Sequence, residues 1–145
     1  MSRTDTYAVE KDYYLRCMQE AIINAGISAD QIDLVVPHGI GTSITDLHEA
    51  RAITKLLGGS NNYLASSFKP YFGHNLGSCA LLETALLLLA LTNDFVPKSL
   101  NCEPVDPQIK INLALSATSK KIKTGLKVSC GFAGYNGAAV FSRLN

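Results

Sequence analysis

A chain of 145 residues with 47% hydrophobic and 17% charged residues is long and apolar enough to enclose the core of one domain, residues 1–145. Its net charge of +1 gives no electrostatic reason to expect nucleic acid or a membrane surface as partner. The four cysteines, Cys17, Cys79, Cys102 and Cys130, form no CxxC pair and no zinc-ligand spacing with the histidines. With no apolar leader at the start, they imply reduced thiols, a cytoplasmic location and no bound metal.

Residues 1–9 are polar and read as loose. From Lys11 the apolar positions Tyr14, Cys17, Met18, Ala21, Ile22 and Ala25 repeat with helical spacing, and Gly26 stops the pattern. Ile32–Val36 is short and β-branched, a buried strand ending at Pro37-His38-Gly39. Ser43-Ile44-Thr45-Asp46 has capping-box spacing, with Thr45 or Asp46 as other possible caps. The helix it opens has Leu47, Ala50, Ile53 (or Thr54) and Leu57 inside and ends at Gly58-Gly59. Asp46 and Glu49 read as cap and surface residues, and His48 as an exposed helix histidine.

Tyr63–Ser66 is a second strand. A Pro-broken loop from Phe68 leads to Gly73-His74, and an apolar run from Leu76 to Leu91 reads as a buried helix with His74 at its mouth. Glu83 within it must be paired or protonated if buried, and the Leu81–Leu91 part of the run, which could be mistaken for a membrane span, falls short of the roughly 20 residues that cross a bilayer. Pro97, Pro104 and Pro107 predict an irregular connection over residues 97–108, with a short edge strand at Ile109–Leu113 and a solvated loop at Lys120, Lys121 and Lys123. Lys127–Cys130 and Ala138–Ser142 are strands around a Gly-rich turn, Gly131–Gly137. This order predicts an α/β layer with a mixed sheet flanked by helices.

The chemistry-bearing residues gather at the strand ends. His38 and His74 each follow a buried strand, so parallel pairing brings both to one edge of the sheet. The helix N-terminus disfavours a protonated imidazole at His74. Lys69, a neutral imidazole and that helix end in one pocket suit an oxyanion or enolate. Three glycines in seven residues exceed the needs of a hairpin, and the loop from Gly131 can present backbone N–H groups to a ligand oxygen, with Phe132 as an apolar plug. No G-x-S-x-G elbow, P-loop or dinucleotide fingerprint is present.

Three motifs carry a resemblance. Pro37-His38-Gly39-Ile40-Gly41-Thr42 resembles the His-Gly-Thr-Gly-Thr motif of the β-ketoacyl-acyl-carrier-protein synthases. Lys69-Pro70-Tyr71-Phe72-Gly73-His74-Asn75-Leu76-Gly77 resembles their Lys-x-x-x-Gly-His-x-x-Gly motif. Ser129–Asn136 resembles their Gly-Phe-Gly-Gly-Thr-Asn loop. The likeness covers nearly the whole chain, and it corresponds to the C-terminal half of that family's fold.

The resemblance implies a thiolase-like half-fold and a decarboxylative Claisen condensation of acyl and malonyl thioesters carried on the phosphopantetheine of acyl carrier protein, with no other cofactor. It makes His38 and His74 the imidazoles that donate to the malonyl thioester oxygen, and Lys69 the motif lysine near His74. Glu83 becomes the helix glutamate tied to that network, Phe132 and Gly131 the gate and oxyanion loop, and Thr42 a phosphopantetheine contact. The nucleophilic Cys belongs to the family's N-terminal half. The expected partners are therefore acyl carrier protein and a nucleophile-bearing half or subunit, in a homo- or heterodimer. Ile40 stands where the motif has a Thr, and Ala133 and Tyr135 replace Gly and Thr. The alternative is a non-catalytic partner that shapes the acyl tunnel, as chain-length-factor subunits do.

Overall fold

The computed structural model describes residues 13–58, 62–131 and 134–144. Readings that fall on residues 1–12, Gly59, Phe132 and Ala133 lie outside them. The elements in chain order are α1 (Tyr13–Asn24), β1 (Leu34–Val36), α2 (Ser43–Leu57), β2 (Leu64–Ala65), α3 (Lys69–Phe72), α4 (Cys79–Asn93), β3 (Phe95–Val96), β4 (Thr118–Ser119), β5 (Thr124–Cys130) and β6 (Asn136–Ser142). One sheet runs β2-β1-β5-β6, parallel except for the antiparallel β5–β6 pair; β3 and β4 form a separate two-stranded ribbon.

Strand alternation divides the core into two. Val35, Leu126 and Val128 pack with Tyr14, Met18, Ile22 and Ile53 of α1 and α2. Leu34 and Val36 pack with Leu87, Ala90 and Leu91 of α4. Because side chains alternate across a strand, Gly125 and Lys127 of β5 project from the face opposite Leu126 and Val128, toward α4. There the four-residue period of the helix matches the two-residue period of the strand. Leu87 lies over Gly125, where an added Cβ would come within 2.5 Å of Leu87 Cδ1. One turn earlier, Glu83 meets Lys127.

Three expectations are corrected. The apolar run is buried along one stripe only, Cys79, Glu83, Leu87, Ala90 and Leu91. Its opposite face is bare, with Leu81 76%, Leu88 45% and Leu89 57% exposed. The sheet covers one side of the helix, and none of the described residues covers the other. The segment Leu76–Asn93 is long and apolar enough by composition to cross a membrane, with 28% of it buried. Second, Ile109–Leu113 is not a strand: Leu113 makes a single parallel bridge to Ala65, and its N–H turns back to the Ile111 carbonyl. Third, the loop before His74 contains the short helix α3, which tolerates Pro70 because a first-turn proline loses no intrahelical hydrogen bond.

Candidate active site

Parallel pairing of β1 and β2 brings the loops after them to one rim of the sheet. The His38 and His74 rings meet there edge to face, their centroids 5.5 Å apart and their planes at 83°. His38 is 2% exposed, whereas His74 is exposed. Both line a cavity of about 450 Å³ with Cys79, Cys130 and Gly131. His74 also borders a second cavity of about 470 Å³, shared with Ile40, Asp46 and Lys69 and closed by residues of the 100–113 segment.

Beneath the rings lies a buried charge cluster. Lys69 Nζ is 2.8 Å from Glu83 Oε1, and Lys127 Nζ is 3.0 Å from Glu83 Oε2. One carboxylate thus serves two ammonium groups, and the three side chains are 5%, 0% and 4% exposed. Burial pulls the Lys127 ammonium below its usual range, opposed by Glu83. Lys69 also donates to the His38 carbonyl and stands 3.4 Å from His38 Nδ1. The motif lysine therefore reaches His38, not His74. An ammonium only donates, so Nδ1 accepts and the neutral ring carries its proton on Nε2.

The pKa of His38 falls to about 3, first through burial and then through the charges of Lys69 and Lys127. The ring is therefore neutral at physiological pH. A measurable consequence follows. Between pH 6.5 and 3 the unfolded chain binds a proton that the folded chain does not, so stability present above pH 6.5 drains away as the pH falls. Urea unfolding at pH 7 and pH 5 is expected to differ by about 2 kcal/mol through His38. His38→Gln should remove that difference; an identical loss in the variant would contradict the assignment.

The His38 loop is held from below by Glu49, which accepts the N–H groups of His38 (2.6 Å) and Gly39 (2.9 Å). The surface reading of Glu49 is thus corrected: it is 2% exposed, and burial raises its pKa against the pull of those two N–H groups. The signal was present, because Glu49 shares the helical stripe of Ala50 and Ile53. Gly39 adopts φ +50, and a Cβ there would sit 2.5 Å from Ser67 Oγ, so the residue after His38 is confined to glycine. Asp46 accepts the Gly41 N–H at 3.1 Å, an end-of-helix role close to the one expected. The capping box is not formed: Thr42 occupies the N-cap without a side-chain hydrogen bond. Thr42 is exposed and outside the lining of both cavities.

Gly131 lines the histidine cavity, and its N–H closes the loop onto the Tyr135 carbonyl at 2.7 Å. Phe132 is outside the described residues. Burial pushes the Cys130 thiol up to about 11, so it stays protonated. Sequence reasoning missed Lys127 and the contact between Cys79 and His74. Among the described residues no three His, Cys, Asp or Glu side chains converge as a metal-binding set. The arrangement provides two neighbouring imidazoles over a fixed positive charge, which suits stabilisation of an anion that forms on a carbonyl oxygen.

Comparison with known proteins agrees with the motifs. Residues 2–103 match the family model "Beta-ketoacyl synthase, C-terminal domain". The 3-oxoacyl-[acyl-carrier-protein] synthase 2 of Coxiella burnetii is 36% identical over 99% of this chain and 34% of its own length. That of Rhizobium meliloti is 34% identical over 88% of this chain and 31% of its own. The chain spans about a third of the length of these relatives. Among solved structures, a type II polyketide ketosynthase in complex with its acyl-carrier protein superposes with a TM-score of 0.89 at 28% identity, over 96% of this chain and 35% of that one. A β-ketoacyl synthase from Burkholderia phymatum gives 0.87 at 26% identity, over 97% and 35%. The architecture is the thiolase-like half-fold, a mixed sheet flanked by helices.

Proposed function

Because the chain belongs to the β-ketoacyl synthase family, as its C-terminal domain, we propose that it supplies the decarboxylation half of a condensing active site in fatty acid or polyketide synthesis. The carrying observation is the edge-to-face His38–His74 pair at 5.5 Å in one cavity. A malonyl thioester on acyl carrier protein places its carbonyl oxygen at the two rings. As the bond from Cα to the carboxylate breaks and CO₂ leaves, the electron pair enters the carbonyl, and His38 and His74 donate to the enolate oxygen. The enolate carbon then attacks an acyl group held as a thioester on a cysteine of the N-terminal half, forming the C–C bond and releasing the cysteine thiolate.

Burial, Lys69 and Lys127 hold His38 neutral, and Glu83 holds the two lysines in place. Phe132 and the Gly131 loop gate the acyl site, and Thr42 meets the phosphopantetheine arm. The nucleophile lies outside this stretch of sequence, on the same or another polypeptide, and the chain alone is inactive. The bare leucines of α4, Leu81, Leu88 and Leu89, form the face that the other half covers. The working assembly is a cytoplasmic dimer.

The test is to combine this chain with a nucleophile-bearing half, acyl- and malonyl-carrier protein, and to measure CO₂ and 3-oxoacyl product. Both are expected; an assembled pair that yields neither would overturn the reading. A second reading, a chain-length-factor-like partner, draws on Ile40, which puts an apolar side chain in the second cavity where the motif has a hydroxyl. It draws also on the likeness to the ishigamide ketosynthase/chain length factor, TM-score 0.88 at 25% identity, over 92% of this chain and 33% of that one.

A further inference from the structure

We propose that Cys79 is a positioning residue for His74, holding the ring in the tautomer that carries its proton on Nε2. The proposal rests on the donor role given to His74 above, and it assigns the group that enforces that role. Cys79 Sγ lies 3.1 Å from His74 Nδ1. The same sulfur lies 3.0 Å from the Asn75 backbone nitrogen, whose N–H donates to it. An amide N–H only donates, so the sulfur accepts from Asn75 on one lone pair and keeps its S–H hydrogen to donate. The complementary arrangement sends the single S–H hydrogen to Nδ1 and leaves Nε2 protonated.

Two features of the fold hold this contact. Cys79 opens the buried stripe of α4, the stripe that also carries Glu83 and Leu87, and is 3% exposed. Leu76, whose side chain is 68% exposed, adopts φ +50 in the turn between Asn75 and Cys79. That conformation is rarely taken by a bulky residue, and packing of the leucine does not account for it; the turn it makes brings the Asn75 N–H over the sulfur. The two rings are then set by different chemistry. Lys69 addresses Nδ1 of His38, and Cys79 addresses Nδ1 of His74. The contact with Cys79 leaves the His74 Nε2–H for the cavity that both rings line, so one ring is governed by a buried cation and the other by a thiol.

The experiment is a long-range 1H–15N correlation spectrum of the full chain labelled with 15N-histidine, at neutral pH and without substrate. In the wild type, His74 is expected to show an unprotonated Nδ1 and a protonated Nε2. Cys79→Ser keeps that pattern, because its hydroxyl donates in the same place. Cys79→Ala moves the His74 shifts toward the tautomer average of a free imidazole, while those of His38 stay put. A protonated Nδ1 in the wild type would overturn the proposal, whether from a thiolate–imidazolium pair or from the other neutral tautomer, and this reading needs no variant to fold. Identical His74 shifts in wild type and Cys79→Ala would overturn it equally. The spectrum involves no turnover, so failure of the condensation assay leaves this result standing, and failure here leaves the condensation reading standing.

Discussion

Glu83→Gln is expected to destabilise the chain by about 3–5 kcal/mol, a large share of the roughly 5–15 kcal/mol that folds an ordinary domain. Glu83 is fully buried between Lys69 at 2.8 Å and Lys127 at 3.0 Å. The amide keeps the shape and removes the carboxylate that, among the described residues, pairs with both lysines. It leaves two buried ammonium groups facing each other across a neutral side chain. The cost is the desolvation of charges that no longer have a counter-ion, so it should fall when the charges are removed together. Lys69→Met, Glu83→Leu and Lys127→Met combined are expected to recover most of the stability, because a buried ion cluster adds little over a well-packed apolar one. Urea unfolding of the single and triple variants checks both statements. A single variant within about 0.5 kcal/mol of wild type would mean that the lysines are neutral or solvated in the folded chain. The triple variant should nevertheless lose function, since His38 would lose its Nδ1 donor.

His74→Ala, in the complex with a nucleophile-bearing half, is expected to lower kcat for condensation by about 10²–10³-fold with little change in KM for the malonyl thioester, as loss of one oxyanion donor does. The ring is exposed at the mouth of its cavity and carries little of the packing, so the variant should fold and assemble. A chain-length-factor-like role predicts unchanged turnover instead. Steady-state kinetics on the matched complexes decides between them.

Much of this was legible in the sequence, for reasons that particular residues make plain. The helices over Tyr13–Asn24 and Ser43–Leu57 announce themselves by apolar spacing and by Gly26 and Gly58 at their ends. The meeting of His38 and His74 follows from two buried strands that pair in parallel, each releasing its histidine at the same rim. What escaped was the identity of the buried charges. Glu49 lies on the inner stripe of its helix beside Ala50 and Ile53, but an acidic residue is placed outside by default. Its partners are backbone N–H groups ten and eleven residues back, which no local pattern encodes. Lys127 alternates with Leu126 and Val128, so it faces α4, and its burial depends on Glu83 being there to meet it. The helix after His74 misled in the opposite direction. Leucine on every face signals burial, and burial of Leu81, Leu88 and Leu89 requires a surface that the described residues do not provide.

The central claim is that His38 and His74 act on one oxygen, and a double-mutant cycle tests it most directly. The account predicts that His38→Ala and His74→Ala each lower the rate of malonyl decarboxylation in the assembled complex by about 10²-fold or more. It predicts further that the double variant falls little below the worse single one, because the two donors work as a unit. Losses that simply multiply, or a single variant that decarboxylates at the wild-type rate, would contradict it.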